Sequence, residues 1–221
     1  MLRGLFVTGT DTGVGKTVTS AALMIRYRPQ GPIRYWKPVQ TGIESDDDTA
    51  EVERLADCAA DEILNSGVRL HDPVSPHLAA QRHGSRIDLG ALLDRLPGDA
   101  PRWTWIVEGA GGVLVPLNER ELMVDLMRRL GLPVVVAARS ALGTINHTLL
   151  TVEALRRRDL PVAGVVMVGD ADDDNRAAIE QYGRVRVVGC LPRLAPLTAG
   201  RLAAWVSTAL DPDGGLLEHM R

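Results

Sequence analysis

Residues 9–17 read Gly9-Thr10-Asp11-Thr12-Gly13-Val14-Gly15-Lys16-Thr17, and this stretch decides the fold. An apolar run at residues 5–8 precedes it and has the length of a short buried strand. Residues 18–27 follow it with apolar side chains at helical spacing. A strand, a glycine-rich turn and a helix bring several backbone N–H groups and the positive end of a helix dipole to one point. The stretch therefore predicts a phosphate-binding loop between a strand and a helix.

Within this phosphate loop, Lys16 is expected to reach the outer phosphates of a nucleotide, and the Thr17 hydroxyl to ligate its magnesium. The loop is one residue longer than the usual Gly-x-x-x-x-Gly-Lys-[Ser/Thr] pattern, because Thr10 stands where that pattern has glycine. Gly13 supplies backbone freedom where a positive φ is required. The dinucleotide pattern Gly-x-Gly-x-x-Gly does not occur in this turn, which disfavours a nicotinamide cofactor. The predicted nucleotide-binding residues here are Gly13, Val14, Gly15, Lys16, Thr17 and Val18.

Composition limits the classes of function. The 221 residues are 45% hydrophobic and 24% charged, with a net charge of −3, which suits one globular domain. That charge gives no electrostatic reason to expect nucleic acid or an anionic membrane as a partner. The longest uncharged apolar stretch, residues 131–138, is too short to span a bilayer, and no signal peptide fits the N-terminus. Cys58 and Cys190 lie in apolar stretches, so we expect buried free thiols and a cytoplasmic protein.

Apolar runs and helical patterns alternate along most of the chain. We predict strands at residues 2–8, 33–37, 103–107, 133–137, 162–168 and 185–188. We predict helices at residues 16–27, 48–56, 89–95, 121–130, 145–157, 175–182 and 200–210. Several strands are uninterrupted apolar runs, such as Val134-Val135-Val136-Ala137, which indicates burial on both faces of a parallel sheet. The prediction is a single α/β domain over residues 1–221, with a mostly parallel sheet of the P-loop NTPase type and helices on both faces.

Two stretches fit this pattern less well. Residues 42–101 hold an acidic cluster, three histidines and several prolines, and we expect them to cover a substrate site. The histidines, His71, His77 and His83, are six residues apart, which suits neither one helix face nor the usual zinc patterns. Loop or capping roles are therefore expected for them. Proline and two glycines after residue 211 predict a flexible tail.

Two carboxylates are candidates for holding magnesium. Glu108 follows the predicted strand 103–107 and precedes Gly109-Ala110-Gly111-Gly112, whose glycines let the backbone approach a ligand closely. A carboxylate at the end of a strand beside the phosphate loop is where nucleotide enzymes hold magnesium or its water shell. The alternative is a strand-terminal glutamate above a flexible turn. Asp48 is a candidate for a further ligand, and it is equally placed to cap the helix that follows it.

Lys37 lies at the end of the second predicted strand and directly precedes Pro38. The proline restricts the backbone of Lys37 to an extended conformation, which aims the side chain from the sheet edge. A second fixed ammonium near a γ-phosphate would offset the charge that develops in phosphoryl transfer. The alternative is an exposed lysine at a strand end. The nearby Thr41 and Gly42 favour the functional interpretation.

Four motifs together resemble the dethiobiotin synthetase family, in their order and approximate spacing. They are the phosphate loop, Lys37-Pro38-Val39-Gln40-Thr41-Gly42, Glu108-Gly109-Ala110-Gly111-Gly112 and Leu142-Gly143-Thr144-Ile145-Asn146-His147. The resemblance covers residues 2–195, and the longer phosphate loop is itself typical of the family. It implies the penultimate step of biotin synthesis, in which 7,8-diaminopelargonic acid, CO2 and ATP give dethiobiotin, ADP and phosphate with magnesium.

The resemblance also implies a mechanism and roles for individual residues. One substrate amine takes up CO2 as a carbamate, whose oxygen attacks the γ-phosphate, and the second amine closes the cyclic urea. The implied catalytic residues are Lys16, Lys37 and Thr12. The implied metal ligands are Thr17, Asp48 and Glu108. The implied substrate-binding residues are Thr12, Lys37, Thr41, Gly111, Gly143, Thr144 and Asn146.

The last three of these residues would bind the substrate carboxylate from the partner subunit of a homodimer. Backbone N–H groups at a helix start, together with the Asn146 amide, form a plausible carboxylate site. The alternative is a plain helix start with an exposed Asn146. By the same resemblance, Leu191 and Pro192 match a segment that contacts the nucleotide base.

The chain departs from the family at two points. Many members carry glutamate where this chain has Gly13, so one contact to metal or substrate is lost. Many also carry an asparagine that reads adenine after the strand 162–168, where this chain reads Val168-Gly169-Asp170-Ala171-Asp172-Asp173-Asp174. We therefore hypothesise weak discrimination between ATP and other nucleoside triphosphates.

Two other classes of protein use a similar fold. Partitioning ATPases, which act as nucleotide-driven switches, usually begin this loop with Lys-Gly-Gly, whereas this chain has Val7-Thr8-Gly9-Thr10. ATP-dependent synthetases of the amidotransferase type normally carry a glutaminase domain, for which 221 residues leave no space. Both classes are therefore less favoured than the cyclo-ligase.

Overall fold

The computed structural model describes residues 2–44 and 46–220 of the chain. Within these ranges the strands are β1 (Arg3–Gly9), β2 (Ile33–Trp36), β3 (Val39–Thr41), β4 (Ile63–Leu64), β5 (Val68–Leu70), β6 (Thr104–Gly112), β7 (Val134–Arg139), β8 (Val162–Val168) and β9 (Val187–Leu191). The α-helices are α1 (Lys16–Tyr27), α2 (Asp48–Ala56), α3 (Pro76–Arg82), α4 (Leu89–Leu93), α5 (Met123–Leu130), α6 (Thr144–Arg156), α7 (Asp173–Gly183), α8 (Ala199–Ala209) and α9 (Leu216–His219).

Seven strands form one parallel sheet in the order β4-β2-β6-β1-β7-β8-β9, and β3 pairs with β5 in a separate two-stranded sheet. Strand β1 lies in the middle, with Val7 beside Glu108 of β6 and also beside Val135 of β7. Because parallel strands end at one edge of a sheet, the phosphate loop and the ends of β2 and β6 meet there. The predicted α/β fold class is confirmed.

The core lies in two layers, one on each face of the sheet. Along β1, Leu5 and Val7 face the layer that contains α1, α2 and α8, and Phe6 faces the layer that contains α5. In β7, Val134 and Val136 belong to one layer and Val135 to the other, and all three side chains are fully buried. Burial on both faces, which the continuous apolar runs predict, is confirmed.

Three predicted elements, at residues 16–27, 48–56 and 162–168, have the bounds that the structure shows. The predicted strand 103–107 was too short, because β6 continues through Gly112, which pairs with Gly9 after a register shift. The glycines after Glu108 are therefore part of a strand and not a flexible turn. Elsewhere the ends of predicted helices and strands differ by a few residues. Strands of two or three residues, such as β4 and β5, are too short to show alternation in the sequence.

Residues 211–220 of the tail are packed, whereas the sequence predicts a flexible tail. The Tyr27 hydroxyl donates a 2.5 Å hydrogen bond to Oδ2 of Asp211, and the backbone N–H of Leu216 donates to the same oxygen. Asp211 and Leu216 are fully buried, and Met220 is 6% exposed. These contacts attach α9 to the carboxyl end of α1, so the tail forms part of the core.

Cys58 and Cys190 are free and half-buried, which confirms the absence of a disulfide between them but not their full burial. Burial raises the pKa of the Cys58 thiol to about 11, although Arg28 opposes this effect. Within the described residues, the helices are all too short or too polar to cross a membrane.

Candidate functional site

The phosphate loop folds back over the start of α1. Gly13 and Gly15 have φ angles of 68° and 95°, left-handed values that glycine adopts without strain. The predicted positive φ of Gly13 is therefore confirmed. The Lys16 ammonium donates a 2.9 Å hydrogen bond to the carbonyl of Asp11, so its side chain curls back across the loop. This arrangement holds a cation and a ring of backbone N–H groups at one point, as anion binding requires.

An ion pair between Arg139 of β7 and Asp11 supports the loop. The Asp11 carboxylate accepts a hydrogen bond from the Thr12 backbone N–H at 2.7 Å and pairs with Arg139 at 2.9 Å. Arg139 is the last residue of β7, the strand beside β1. This pair leaves no signal in the sequence, because the two residues lie 128 positions apart.

Lys37 is the centre of a buried ionic cluster next to the loop. Its ammonium donates to Asp48 Oδ2 at 2.5 Å, to Glu108 Oε1 at 2.7 Å and to the carbonyl of Gly109 at 3.0 Å. Lys37 is 5% exposed and Glu108 is fully buried. The three contacts use all three ammonium hydrogens. The interpretation of Lys37 as an exposed strand-end lysine is therefore wrong.

Asp48 and Glu108, which we call the carboxylate pair, are also joined by the phosphate loop. The Thr17 hydroxyl lies 2.7 Å from Asp48 Oδ1 and 3.2 Å from Glu108 Oε1. Asp48 opens α2, but Asp47 is the residue that caps it, accepting hydrogen bonds from the N–H groups of Thr49 and Ala50. Asp48 is thus free of the capping role that the sequence left open for it.

Tyr35 completes the cluster and was not identified from the sequence. Its hydroxyl donates a 3.0 Å hydrogen bond to Glu108 Oε2, and its side chain is fully buried. Burial and then the charge of Glu108 raise the pKa of Tyr35 well above its usual range, so it stays a neutral donor. Tyr35 precedes Lys37 by two residues, and side chains two apart along an extended strand share a face. That alternation was the available signal.

The pKa values of Lys16 and Lys37 are shifted in opposite directions. Burial, and then the charge of Lys37, lower the pKa of Lys16. Burial would also lower the pKa of Lys37, but the carboxylates of Glu108 and Asp48 outweigh it and raise that pKa. Burial would raise the pKa of Asp48, but Lys37 outweighs it and lowers that pKa. Lys37 and Asp48 therefore form a charged pair across the neutral pH range.

A cleft of about 380 Å³ opens between the phosphate loop and this cluster. Its lining includes most residues that the sequence predicted for nucleotide, substrate and metal: Thr12, Gly13, Gly15, Lys16, Thr17, Val18, Lys37, Thr41, Asp48 and Gly111. Gln40, Asp46 and Glu51 also line it and were not predicted. Glu108 lies beneath Lys37 and has no exposed surface. Val14 is 2% exposed and packs into the core below the loop.

Gly67 supports the chain segment that carries Lys37. A Cβ atom at Gly67 would lie 2.2 Å from the carbonyl oxygen of Lys37, which is closer than any side chain tolerates. The next residue, Val68, donates its N–H to the carbonyl of Pro38 at 2.8 Å. Position 67 therefore requires glycine so that β5 can approach the turn between β2 and β3.

A second cleft, of about 500 Å³, lies on the other side of the phosphate loop. It is lined by Gly13–Gly15 of the loop and by residues at or just after the ends of β7, β8 and β9, among them Arg139, Asp170 and Arg193. A Cβ atom at Gly15 would lie 2.9 Å from the Val168 side chain, so this apolar residue sits directly against the loop. Leu191 is buried in β9 and Pro192 is exposed, and neither is among the lining residues of the two clefts.

The start of α6 lies apart from both clefts. Gly143 has a φ of 94° and caps the helix, and Asn146 is exposed. The Thr144 side chain is 2% exposed and turns inward, with its hydroxyl 3.5 Å from that of Thr148. Leu142, beside Gly143, is fully exposed. The structure therefore does not bring these three predicted substrate residues to the cleft of the same subunit.

The three histidines of the irregular region line neither of these two clefts; His71 lies in a loop and His83 is the C-cap of α3, but His77 lies within α3, so the expected loop or capping role was wrong for His77. His71 is 3.2 Å from Glu44, its ring centroid is 5.7 Å from that of His83, and His77 contacts the hydroxyl of Ser75 at 3.1 Å. Among residues 2–44 and 46–220, no three His, Cys, Asp or Glu side chains converge into a metal-binding group. A cation in the main cleft would therefore need Thr17 and a bound ligand in addition to the oxygen atoms of Asp48 and Glu108.

Comparisons of the sequence with known proteins agree on one family. The family described as "AAA domain" matches residues 3–201. The ATP-dependent dethiobiotin synthetase BioD of Paramagnetospirillum magneticum is 52% identical over 202 residues, covering 91% of this chain and 94% of the relative. The same enzyme of Rhodopseudomonas palustris is 46% identical over 214 residues, covering 96% of both chains.

Comparisons of the structure show the fold alone. A ParA family ATPase from Chlorobium tepidum superposes with a TM-score of 0.53 and 10% identity, over 99% of this chain and 96% of the other. Apo McdA from Cyanthece superposes with a TM-score of 0.57 and 12% identity over the full length of both chains. These similarities confirm the parallel P-loop architecture.

Proposed function

This chain belongs to the family of ATP-dependent dethiobiotin synthetases, and on that premise we propose that it converts 7,8-diaminopelargonic acid, CO2 and ATP into dethiobiotin, ADP and phosphate. Membership of the family makes it an ATP-binding ligase of biotin biosynthesis. The observation that carries the specific reaction is the pair of lysines beside one cleft, Lys16 on the phosphate loop and Lys37 on the carboxylate pair.

In this proposal the substrate supplies the nucleophiles and the protein supplies charge and position. One amine adds to CO2 to form a carbamate, and a carbamate oxygen attacks the γ-phosphorus while ADP leaves. The second amine then attacks the carbonyl carbon of the mixed anhydride, and phosphate leaves as the cyclic urea closes. A carbamate and a triphosphate repel each other, so Lys16 and Lys37 must neutralise both anions and hold them in line.

Magnesium fits the donor set of the cleft. Hard divalent cations prefer oxygen ligands, and Thr17, Asp48 and Glu108 place hydroxyl and carboxylate oxygens within hydrogen-bonding distance of one another. We propose that these three residues hold the ion with the nucleotide, where it would neutralise charge on the phosphates. Lys37 occupies the carboxylate pair in the structure, so it must share or release these oxygens when the ion is bound.

Thr12 and Thr41 complete the proposed substrate site. Both line the cleft, Thr12 on the phosphate loop and Thr41 at the end of β3, so their hydroxyls can orient the amines of the substrate. Gly111 lines the same wall and lets the backbone approach the ligand. These roles fit a substrate that lies between the nucleotide phosphates and Lys37.

We propose that the working enzyme is a homodimer. Leu142, Leu114 and Leu150 are 101%, 50% and 55% exposed, and the last two line one groove beside α6. Exposed apolar side chains grouped on one face are typical of an interface between subunits. A partner's α6 start would then supply Gly143, Thr144 and Asn146 to the substrate carboxylate. The Thr144 hydroxyl points inward and its backbone N–H donates to the carbonyl of Ala141, so one of these contacts must be released in that role.

The last part of the proposal concerns which nucleotide base the enzyme accepts. After β8, where many family members carry an asparagine that reads adenine, residues 168–174 contain none, and Val168 packs against Gly15. We therefore propose that ATP is used with weak discrimination against other nucleoside triphosphates, and that Arg193 and Asp170 line the base end of the second cleft. Comparable turnover with ATP, CTP and GTP is expected, and a strong preference for ATP would reject this part.

One experiment tests the reaction itself. The purified protein is incubated with the diamine, bicarbonate, magnesium and ATP, and products are quantified by mass spectrometry. Dethiobiotin, ADP and phosphate are expected in equal amounts, and phosphate release should require the diamine. ATP hydrolysis at the same rate without the diamine would instead indicate a nucleotide-driven switch.

A further inference from the structure

Gln40 is a buried polar residue of the main cleft that the proposed chemistry does not yet use. It lies in β3, between Lys37 and Thr41, and is 3% exposed. Its side chain lines the same cleft as the two lysines. The amide nitrogen donates a 2.6 Å hydrogen bond to the carbonyl of Asp46, but the amide oxygen, Oε1, has no hydrogen-bond partner within the described part of the chain.

The orientation of this amide follows from its one partner. The carbonyl of Asp46 is an acceptor, so the NH2 group of Gln40 must face it, because the opposite rotamer would set two acceptors against each other. Oε1 is thereby left as an acceptor inside the wall of the cleft, and because it has no exposed surface, the Gln40 side chain must shift toward the cleft before a ligand can reach it. A buried acceptor without a donor destabilises a protein, and most such groups in native structures are satisfied. A ligand in the cleft is a source of the hydrogen-bond donor that Oε1 lacks.

The chemistry of the ligands selects the donor. Phosphate and carbamate oxygens are acceptors and would repel Oε1, whereas an amino group carries N–H donors. The ammonium of Lys37 already has three acceptors, so it does not supply this donor. We propose that Gln40 is a specificity-determining residue, whose Oε1 accepts a hydrogen bond from one amino group of the diamine. This inference rests on the proposed function and names the side chain that recognises the amine.

The test compares Gln40→Met, which keeps the length of the side chain without its amide, with wild type and with Gln181→Met. Gln181 is an exposed residue of α7, far from the cleft, and serves as the matched control. For Gln40→Met we expect KM for the diamine to rise about 10- to 100-fold, with KM for ATP and the magnesium requirement within about twofold of wild type. Gln181→Met should match wild type in all three quantities.

Analogues of the substrate sharpen the test. The two monoamines, which lack either the 7-amino or the 8-amino group, are measured as competitive inhibitors. Loss of the recognised amino group should weaken binding to wild type much more than binding to Gln40→Met, because the variant has no acceptor left to lose. Loss of the other amino group should weaken binding to both proteins equally.

Three outcomes would overturn the inference: an unchanged KM for the diamine, an equal rise in KM for ATP and diamine, or a shift in the magnesium requirement alone. The second would indicate that Gln40 only holds the turn at Asp46, and the third that Oε1 binds the cation. If wild type itself does not turn over the diamine, the proposed function fails first. The two failures are thus distinguishable.

Discussion

The phosphate loop and the carboxylate pair each place a lysine at one cleft, but they treat its charge differently. Lys16 donates to a backbone carbonyl, and burial together with Lys37 lowers its pKa. Lys37 donates to two carboxylates, which outweigh its burial and raise its pKa. Within the described residues the Lys16 ammonium therefore makes no direct ion pair, and the carboxylates of Glu108, Asp48 and Asp11 only partly offset its burial. The carboxylate pair holds a charge that is already neutralised and that also stabilises the fold.

This difference separates function from stability. Removal of a buried charge that has no counter-ion should relieve the folded protein, whereas removal of a buried counter-ion should destabilise it. The two lysines look alike in the sequence, since each lies in a motif that follows a strand. Three substitutions and one pH series, in order of decreasing effect, can break or sharpen the contrast.

The largest effect is expected for Lys37→Met. The substitution leaves Asp48 and Glu108 without their buried cation, so the free energy of unfolding should fall by about 3–5 kcal/mol. Activity should be lost as well. Urea unfolding of the ligand-free protein measures the first effect. The double variant Lys37→Met/Glu108→Gln, which removes one of the stranded charges, should recover part of the stability. No recovery would show that the carboxylate pair does not depend on Lys37.

Lys16→Met should lower kcat/KM by about 10²–10³-fold, because one fixed cation is lost from the phosphates. Unlike Lys37→Met, it should leave the Tm of the ligand-free protein equal to or above that of wild type. The rise in Tm that wild type shows on addition of nucleotide should disappear. A large loss of stability without ligand would contradict the contrast between the two lysines.

Thr17 joins the two regions, and Thr17→Val should have a smaller effect on stability. The substitution removes the hydroxyl that bonds Asp48, and we expect a loss of about 1–2 kcal/mol in the ligand-free protein. Thr17→Ser keeps the hydroxyl and is the matched control. Activity at limiting magnesium should fall for Thr17→Val and be largely kept by Thr17→Ser. Equal behaviour of both variants would argue against a role for the hydroxyl.

The smallest effect concerns alkaline pH. The pKa of Lys16 is lower in the folded protein than its ordinary value of 10.5, so its burial costs stability while it is charged. Stability from this group should rise with pH between the lowered pKa and 10.5, where the unfolded chain binds more protons. The advantage of Lys16→Met over wild type in urea unfolding should therefore shrink as pH rises from 7.5 to 10.5. The raised pKa of Lys37 has the opposite sign, with stability lost above 10.5.

The sequence predicted the sheet, the phosphate loop and most of the cleft because these depend on local patterns. Helix α1 has clear apolar spacing, and glycine has a conformational preference that can be read at Gly13. Glu108 was found because it follows a strand beside the phosphate loop, and Asp48 because magnesium has room for a further carboxylate from the acidic run at residues 46–48. Tyr35 could also have been predicted from the sequence, because it lies two residues before Lys37 and therefore shares a strand face with it.

Other features depend on contacts that leave no local pattern. The tail is held by a hydrogen bond between Tyr27 and Asp211, which are 184 positions apart, and its glycines suggested flexibility instead. The unpaired oxygen of Gln40 depends on how a turn folds beside β3. The start of α6 lies away from the cleft of its own subunit. Its predicted role needs a second subunit, which a single chain does not contain.

Position 67 illustrates how far the demands of the cleft extend along the chain. Because Gly67 lies against the carbonyl of Lys37, any other amino acid there must push apart two backbone segments. A bacterial strain that depends on this gene for growth without added biotin should therefore tolerate almost no amino-acid substitution at position 67. A survey of random alleles would find auxotrophs at a glycine that touches no ligand, thirty residues from the lysine it protects.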